Sequence, residues 1–273
     1  MFLTKPTLAV FDFDGTVGDT FKAHPTAPGV HEATEEAFRK MFGPLGPELL
    51  QAVGGLRNRS SAEITEAVVR QGGSHLLDSL RGRLREFSAA LDSCVPLGKG
   101  VEISQAQWQE NPHAVATEIF VREKLRCYRL GRQADGSLWP QPCKGVLLFL
   151  ERLRHEGVGI GILSSGHELF IRTCFDLWGA EQPRLMLTDD DLRGLSWPPE
   201  ERTKPHPRLF DLLFERYGQE VERRRVVYFG DDPHKDGLLA ERSGIPFGWY
   251  NPASRSARIA GFTFTDWAEL ALC

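Results

Sequence analysis

Two aspartates, Asp12 and Asp14, close an apolar run and are followed at once by Gly15 and Thr16. Alternate side chains of an extended chain point the same way, so both carboxylates leave one strand end on one side, and Gly15 supplies the turn after them. Burying such a pair without a cation is costly. A hard divalent ion such as magnesium prefers oxygen ligands, offsets that cost and attracts phosphate. More acids, Asp231 and Asp232 with Asp236 a helical turn later, follow a second apolar run and offer to complete an octahedral site with water and a substrate oxygen. Ser164 brings a hydroxyl directly after a third run, and Ser165 and Gly166 open a turn whose main-chain amides can face an anion. Lys204, in Lys204-Pro205-His206-Pro207, adds a compact ammonium suited to a phosphoryl oxygen or to keeping a carboxylate ionised.

The runs that must position these groups are residues 8–13, 158–163 and 225–229, each stopping at glycine, serine or aspartate as buried strands do. Between them, 145–156 carries Val146, Leu147, Phe149, Leu150 and Leu153 on helical spacing, and 208–217 carries Leu209, Phe210, Leu212, Leu213 and Phe214. Strands alternating with such helices predict an α/β protein with a Rossmann-like parallel sheet core and right-handed crossovers, its chemistry at the carboxyl ends of the strands. Residues 21–138 differ. They offer helices at 31–42, 61–71, 76–91 and 114–130, with Ser60 and Glu63 spaced as a capping box. The expected organisation is a core of residues 1–20 and 139–273 interrupted by an α-helical cap domain at 21–138, with proline and glycine patches at 27–29 and 136–142 as hinges.

Asp12-Phe13-Asp14-Gly15-Thr16, Ser164, Lys204-Pro205 and Gly230-Asp231-Asp232 with Asp236 resemble, in order and spacing, the four motifs of the haloacid dehalogenase superfamily. The resemblance covers residues 5–20 and 139–250. The helical insertion after Gly15-Thr16-Val17-Gly18-Asp19-Thr20 is similar to the branch with a helical cap between the first and second motifs, as in phosphoglycolate phosphatase-like enzymes. The resemblance implies that Asp12 attacks phosphorus to give an aspartyl-phosphate, and that Asp14 acts as general acid and then general base. It also implies magnesium held by the Asp12 carboxylate, the Asp14 main-chain carbonyl and the later acids, with Lys204 and Ser164 spreading the charge of transfer and Ser165, Gly166 and Thr16 among the phosphate contacts. The fourth motif departs from the usual pattern because two acids follow Gly230; counting back from Gly244 favours Asp232 as the first of the pair, and Asp231, Asp232 and Asp236 are all carried as metal candidates.

The expectation is a magnesium-dependent phosphatase acting on a small phosphorylated metabolite. A phosphomutase would share every core residue. Dehalogenation does not call for the Asp14 carboxylate, and no cap lysine is marked for phosphonate chemistry. A catalytically silent binding or regulatory protein would be expected to have lost a nucleophile, lysine or metal acid, and all are present.

Bulk properties agree with a folded enzyme. The 273 residues include 33 Lys+Arg against 37 Asp+Glu, a net charge of -4, which offers no general attraction to nucleic acid or anionic membranes. The five cysteines form no C-x-x-C pair, so neither a zinc site nor a disulfide framework is indicated. No run is long enough for a membrane span, and Met1 to Pro6 lacks the anatomy of a secretory signal, so a cytoplasmic location is expected. The triplet Asp189-Asp190-Asp191 reads as a solvated loop, His167, His206 and His234 as loop residues beside the motifs, Arg57 as surface charge and the six tryptophans as packing residues.

Overall fold

The apolar runs become the centre of a sheet because both of its faces are covered, which is why they read as continuous rather than alternating. In the structure, a computed structural model that describes residues 2–55, 59–89, 103–258 and 260–272, the strands are β1 (Leu8–Phe11), β2 (Gly159–Leu163), β3 (Leu185–Leu187), β4 (Val226–Gly230), β5 (Phe247–Tyr250) and β6 (Phe262–Phe264). All pair in parallel in the order β6-β5-β4-β1-β2-β3. Central β1 sets Phe11 opposite Ile162 of β2 and Phe229 of β4. The residues just past these partners therefore emerge side by side. The first run ends as a strand two residues earlier than its apolar character suggests: the Phe13 carbonyl accepts the amides of Thr16, Val17 and Gly18 in a turn.

Alternation along β1 and β4 divides the core into two layers. Phe11 and Phe229 stack at 5.0 Å and meet Phe149 and Trp267 on one face. Leu8, Val10 and Tyr228 pack with Phe210, Leu213, Leu239 and Phe247 on the other.

Helices α1 (Val30–Phe42), α2 (Leu45–Ala52), α3 (Ser61–Gly72), α4 (Ser74–Gly82), α5 (Leu84–Ala89), α6 (Gln105–Glu110) and α7 (Pro112–Cys127) form one unit spanning residues 21–139. There α7 packs on α1 and α3, with Phe38 and Phe120 at 4.6 Å. The Ser60–Glu63 capping box forms at the start of α3. The single helix expected over 76–91 is two, broken at Arg83; its last residues, like Arg57, Cys94 and Cys273, lie outside the described residues.

The other unit, residues 1–20 with 140–273, holds the sheet and α8 (Val146–His155), α9 (Glu168–Leu177), α10 (Asp189–Arg193), α11 (Arg208–Tyr217) and α12 (Leu238–Ser243). Gly18–Asp19 pairs antiparallel with Gln141–Pro142 inside this unit. Cys127, Cys143 and Cys174 are buried free thiols. Among the described residues no helix is long and apolar enough to cross a membrane.

Candidate active site

Gly15, at φ 77, turns the chain immediately after Asp14, a left-handed conformation that favours glycine. Before that turn, the Asp12 amide still donates to the Phe229 carbonyl at 2.8 Å, so the ladder itself fixes where the first carboxylate begins. Asp12 is buried, and its Oδ1 accepts from the Lys204 ammonium at 2.6 Å. Lys204 approaches from the segment ahead of α11 and donates equally to Asp236 Oδ1 at 2.9 Å. Asp236 lies in a π-type helical turn at Pro233–Gly237, against the end of β4. A Cβ on Gly230 would fall 2.4 Å from Asp236 Oδ2, so glycine at this strand end is what admits the acid.

Oxygens of Asp12, Asp231 and Asp236 lie within 4.8 Å of one another. The Asp232 carboxylate is placed differently from the expectation that favoured it: its Oδ1 accepts the amides of His234 at 2.8 Å and Lys235 at 3.2 Å, capping the turn that carries Asp236. Asp231 is anchored through its carbonyl, which receives the Trp249 indole N–H at 3.0 Å and the Arg255 guanidinium at 2.8 Å. Arg255 is not singled out by the sequence and Trp249 reads there only as a packing residue, since each belongs to a segment with no motif.

Asp14 Oδ1 accepts from the Thr20 hydroxyl at 2.6 Å, and a Cβ on Gly166 would sit 3.2 Å from both Asp14 Oδ2 and Ser164 Oγ. The first and second strand ends thus meet at Gly166. Its amide donates to Ser164 Oγ at 3.0 Å, so this N–H holds the loop instead of facing outward as the sequence suggested. Ser164 is buried, Ser165 half-buried. Thr16 is fully buried with Oγ1 unpartnered, below the surface of the site.

The aspartate triplet is not a solvated loop. Asp189 and Asp191 are buried in the first turn of α10, where Asp191 closes a capping box with Thr188 and pairs with Arg216 at 2.9 Å. His167 Nδ1 stands 3.2 Å from Asp190, but Arg193 already supplies this cluster with a cation, 2.8 Å from Asp189 and 2.7 Å from Asp190. His206 Nδ1 accepts the Arg208 amide at 3.3 Å, and His234 is exposed.

Charge crowding decides what the main cluster can hold. Burial pushes the Asp231 carboxyl up to about 8, and the charges of Asp236 and Asp12 add to it. Burial foremost also pushes Asp12 up, against the pull of Lys204. Carboxylates this close resist ionising together unless a second cation joins Lys204, and an all-oxygen donor set suits a hard divalent ion. The residues therefore fit magnesium.

A carboxyl with a raised folded-state pKa binds its proton more tightly when folded, so it costs stability progressively as pH rises from its ordinary 3.8 toward about 8. With chelator present, the melting temperature is expected to fall between about pH 5 and about pH 8, and Asp231→Asn to flatten that fall. Parallel curves for parent and variant would remove the crowding account.

A family model described as haloacid dehalogenase-like hydrolase matches residues 6–244. The chain belongs to that family. The hydrolase is similar in structure to a predicted phosphoglycolate phosphatase of Haemophilus somnus, with TM-score 0.56, 15% identity and coverage of 98% of this chain and 97% of that one. It is similar also to a haloacid dehalogenase-like hydrolase of Bacteroides fragilis (TM-score 0.54, 16% identity, 96% and 98% covered) and a 2-haloacid dehalogenase of Pseudomonas syringae (TM-score 0.50, 22% identity, 98% and 96% covered). At these identities the likeness establishes the fold. No curated protein matches the sequence. This haloacid dehalogenase-like hydrolase is an enzyme built on a six-stranded parallel core.

Proposed function

We propose that the protein is a magnesium-dependent phosphatase that hydrolyses a small phosphate monoester, the helical unit serving as its cap. The observation that carries this reading is Asp14: a second carboxylate, half-buried, held by Thr20 and set beside Ser164 and Gly166. Ester hydrolysis needs such a proton carrier next to the nucleophile.

In this reading an Asp12 oxygen attacks phosphorus, and the P–O bond to the alcohol breaks as Asp14 gives the leaving oxygen its proton. Asp14, now ionised, takes a proton from water, whose oxygen attacks the aspartyl-phosphate; inorganic phosphate leaves and Asp12 is restored. Lys204 favours the ionised form of the attacking carboxylate against its burial and faces the transferring oxygens, while Ser164 offers a hydroxyl donor. Asp12 and Asp231 would hold magnesium, with the Asp14 carbonyl as the family implies, and Asp236 is committed to Lys204. When bound, the ion supplies positive charge to the transferring phosphoryl group.

Purified protein with magnesium is expected to release inorganic phosphate from p-nitrophenyl phosphate and from members of a panel of phosphorylated metabolites, and EDTA to abolish the release. Halide release from a 2-haloacid with no phosphate release from the panel would overturn the reading. So would an isomerised sugar phosphate formed without free phosphate.

A further inference from the structure

Tyr228 belongs to no motif, yet its hydroxyl ends in the middle of the site. It sits on β4, two residues before Gly230, and is fully buried. Its ring packs edge-on against Phe210 at 5.2 Å and lies near Phe247 at 6.1 Å. Those neighbours are met by ring area alone, so phenylalanine would fill the same space. A buried hydroxyl, by contrast, costs stability unless it finds an acceptor. Two are in range: Asp236 Oδ1 at 2.8 Å and the Leu163 carbonyl at 3.4 Å. The single hydroxyl proton goes to the nearer and charged one. Burial, with the Asp236 charge beside it, holds the phenol well above its ordinary pKa, so it remains a donor.

The same oxygen, Asp236 Oδ1, accepts from Lys204 at 2.9 Å, and the ammonium stands 5.5 Å from the centre of the Tyr228 ring. Lys204 is thus located by Asp12 on one side and Asp236 on the other, with the tyrosine face beneath it. Asp236 in turn is held by the Asp232 amide on Oδ2 at 3.2 Å and by the tyrosine on Oδ1. Without the phenol, one of the carboxylate oxygens keeps only the long, flexible lysine as its partner among these contacts, and the lysine loses a fixed anchor.

We propose that Tyr228 is a positioning residue: its hydroxyl fixes the Asp236 carboxylate and, through it, seats the Lys204 ammonium against the attacking oxygen of Asp12. This role rests on the phosphatase reading for its catalytic consequence, but the seating of Lys204 is a property of the protein without substrate.

The test compares Tyr228→Phe, Asp236→Asn and the double variant, using the phosphate ester that the parent hydrolyses best. Tyr228→Phe is expected to lower kcat about tenfold with KM nearly unchanged, and to lower the melting temperature by no more than several degrees, the loss typical of one hydrogen bond to a charged group. Because the tyrosine acts through Asp236, the double variant is expected to be no slower than Asp236→Asn alone. In the substrate-free protein, the side-chain NMR resonance of Lys204, assigned by its disappearance in Lys204→Met, is expected to shift in Tyr228→Phe. An unchanged kcat, or a double variant slower than Asp236→Asn by the full Tyr228→Phe factor, would overturn the proposal. A parent inactive on every phosphate would instead sink the phosphatase reading, and an unmoved Lys204 resonance would then sink the seating independently.

Discussion

Asp12→Asn is expected to remove at least about four orders of magnitude from kcat while the protein stays folded. An amide oxygen is a poor nucleophile and cannot leave as a carboxylate when water attacks the phosphorylated enzyme, so the substitution blocks both halves of the reaction. Folding should survive because the replacement has the same shape and is neutral, which removes the cost of burying a charge here and, with it, the lesser repulsion from Asp236 and Asp14. Lys204 keeps Asp236 as its second partner. The measurement is steady-state phosphate release by parent and variant with magnesium, beside thermal melting of both. Equal rates would mean that Asp12 is not the attacking group. A slow variant that melts tens of degrees earlier would transfer the explanation from chemistry to folding.

The value of that variant depends on how the sequence places Asp12, and here the residues are unusually legible. The runs leading to Asp12, Ser164 and Asp231 are apolar because both sheet faces are covered, and each stops where polar chemistry begins. Local signals of that kind survive into the structure: strands β1, β2 and β4, helices α8 and α11, and the Ser60 capping box all stand where spacing put them. Shorter segments carried less information. Leu185–Leu187 and Phe262–Phe264 have three residues each, too few for any periodicity to separate a strand from a loop, and they join the sheet through pairing with β2 and β5.

The site was harder to read where its geometry depends on how side chains share partners. Asp231, Asp232 and Asp236 are equivalent as letters. Their division of labour follows from the turn: the chain needs one acid to cap it, and Asp232 is the residue whose carboxylate reaches the His234 and Lys235 amides. The triplet Asp189-Asp190-Asp191 misleads for the related reason that its counter-charges, Arg193 and Arg216, lie one turn and one helix away, and only folding brings them within 3 Å. Tyr228, Trp249 and Arg255 show no pattern at all, because a donor's value here lies in the acceptor it finds.

Lys204→Met should damage stability as well as turnover, and the two effects separate by pH. Asp12 and Asp236 are buried, and Lys204 is the cation that both contact within 3 Å. Its own pKa is raised by these acids despite the burial that opposes it, so the favourable linkage is fully present below the ordinary lysine value of 10.5 and is lost only above it. Removing the ammonium leaves carboxylates that must either ionise unpaired or hold protons. Breaking a buried pair from one side costs about 3–5 kcal/mol when the remaining charge cannot be neutralised. At low pH the orphaned acids take protons and the penalty shrinks, so urea unfolding in chelator is expected to show a small deficit near about pH 5 that widens toward about pH 8. Activity is expected to fall about 10²–10³-fold at any pH where the variant is folded, the range seen for loss of one donor aimed at developing charge. A variant equally destabilised at both pH values would mean that Lys204 contributes packing instead of charge. One that retained the parent's kcat would detach the lysine from the transfer step, and with it the role assigned to Tyr228.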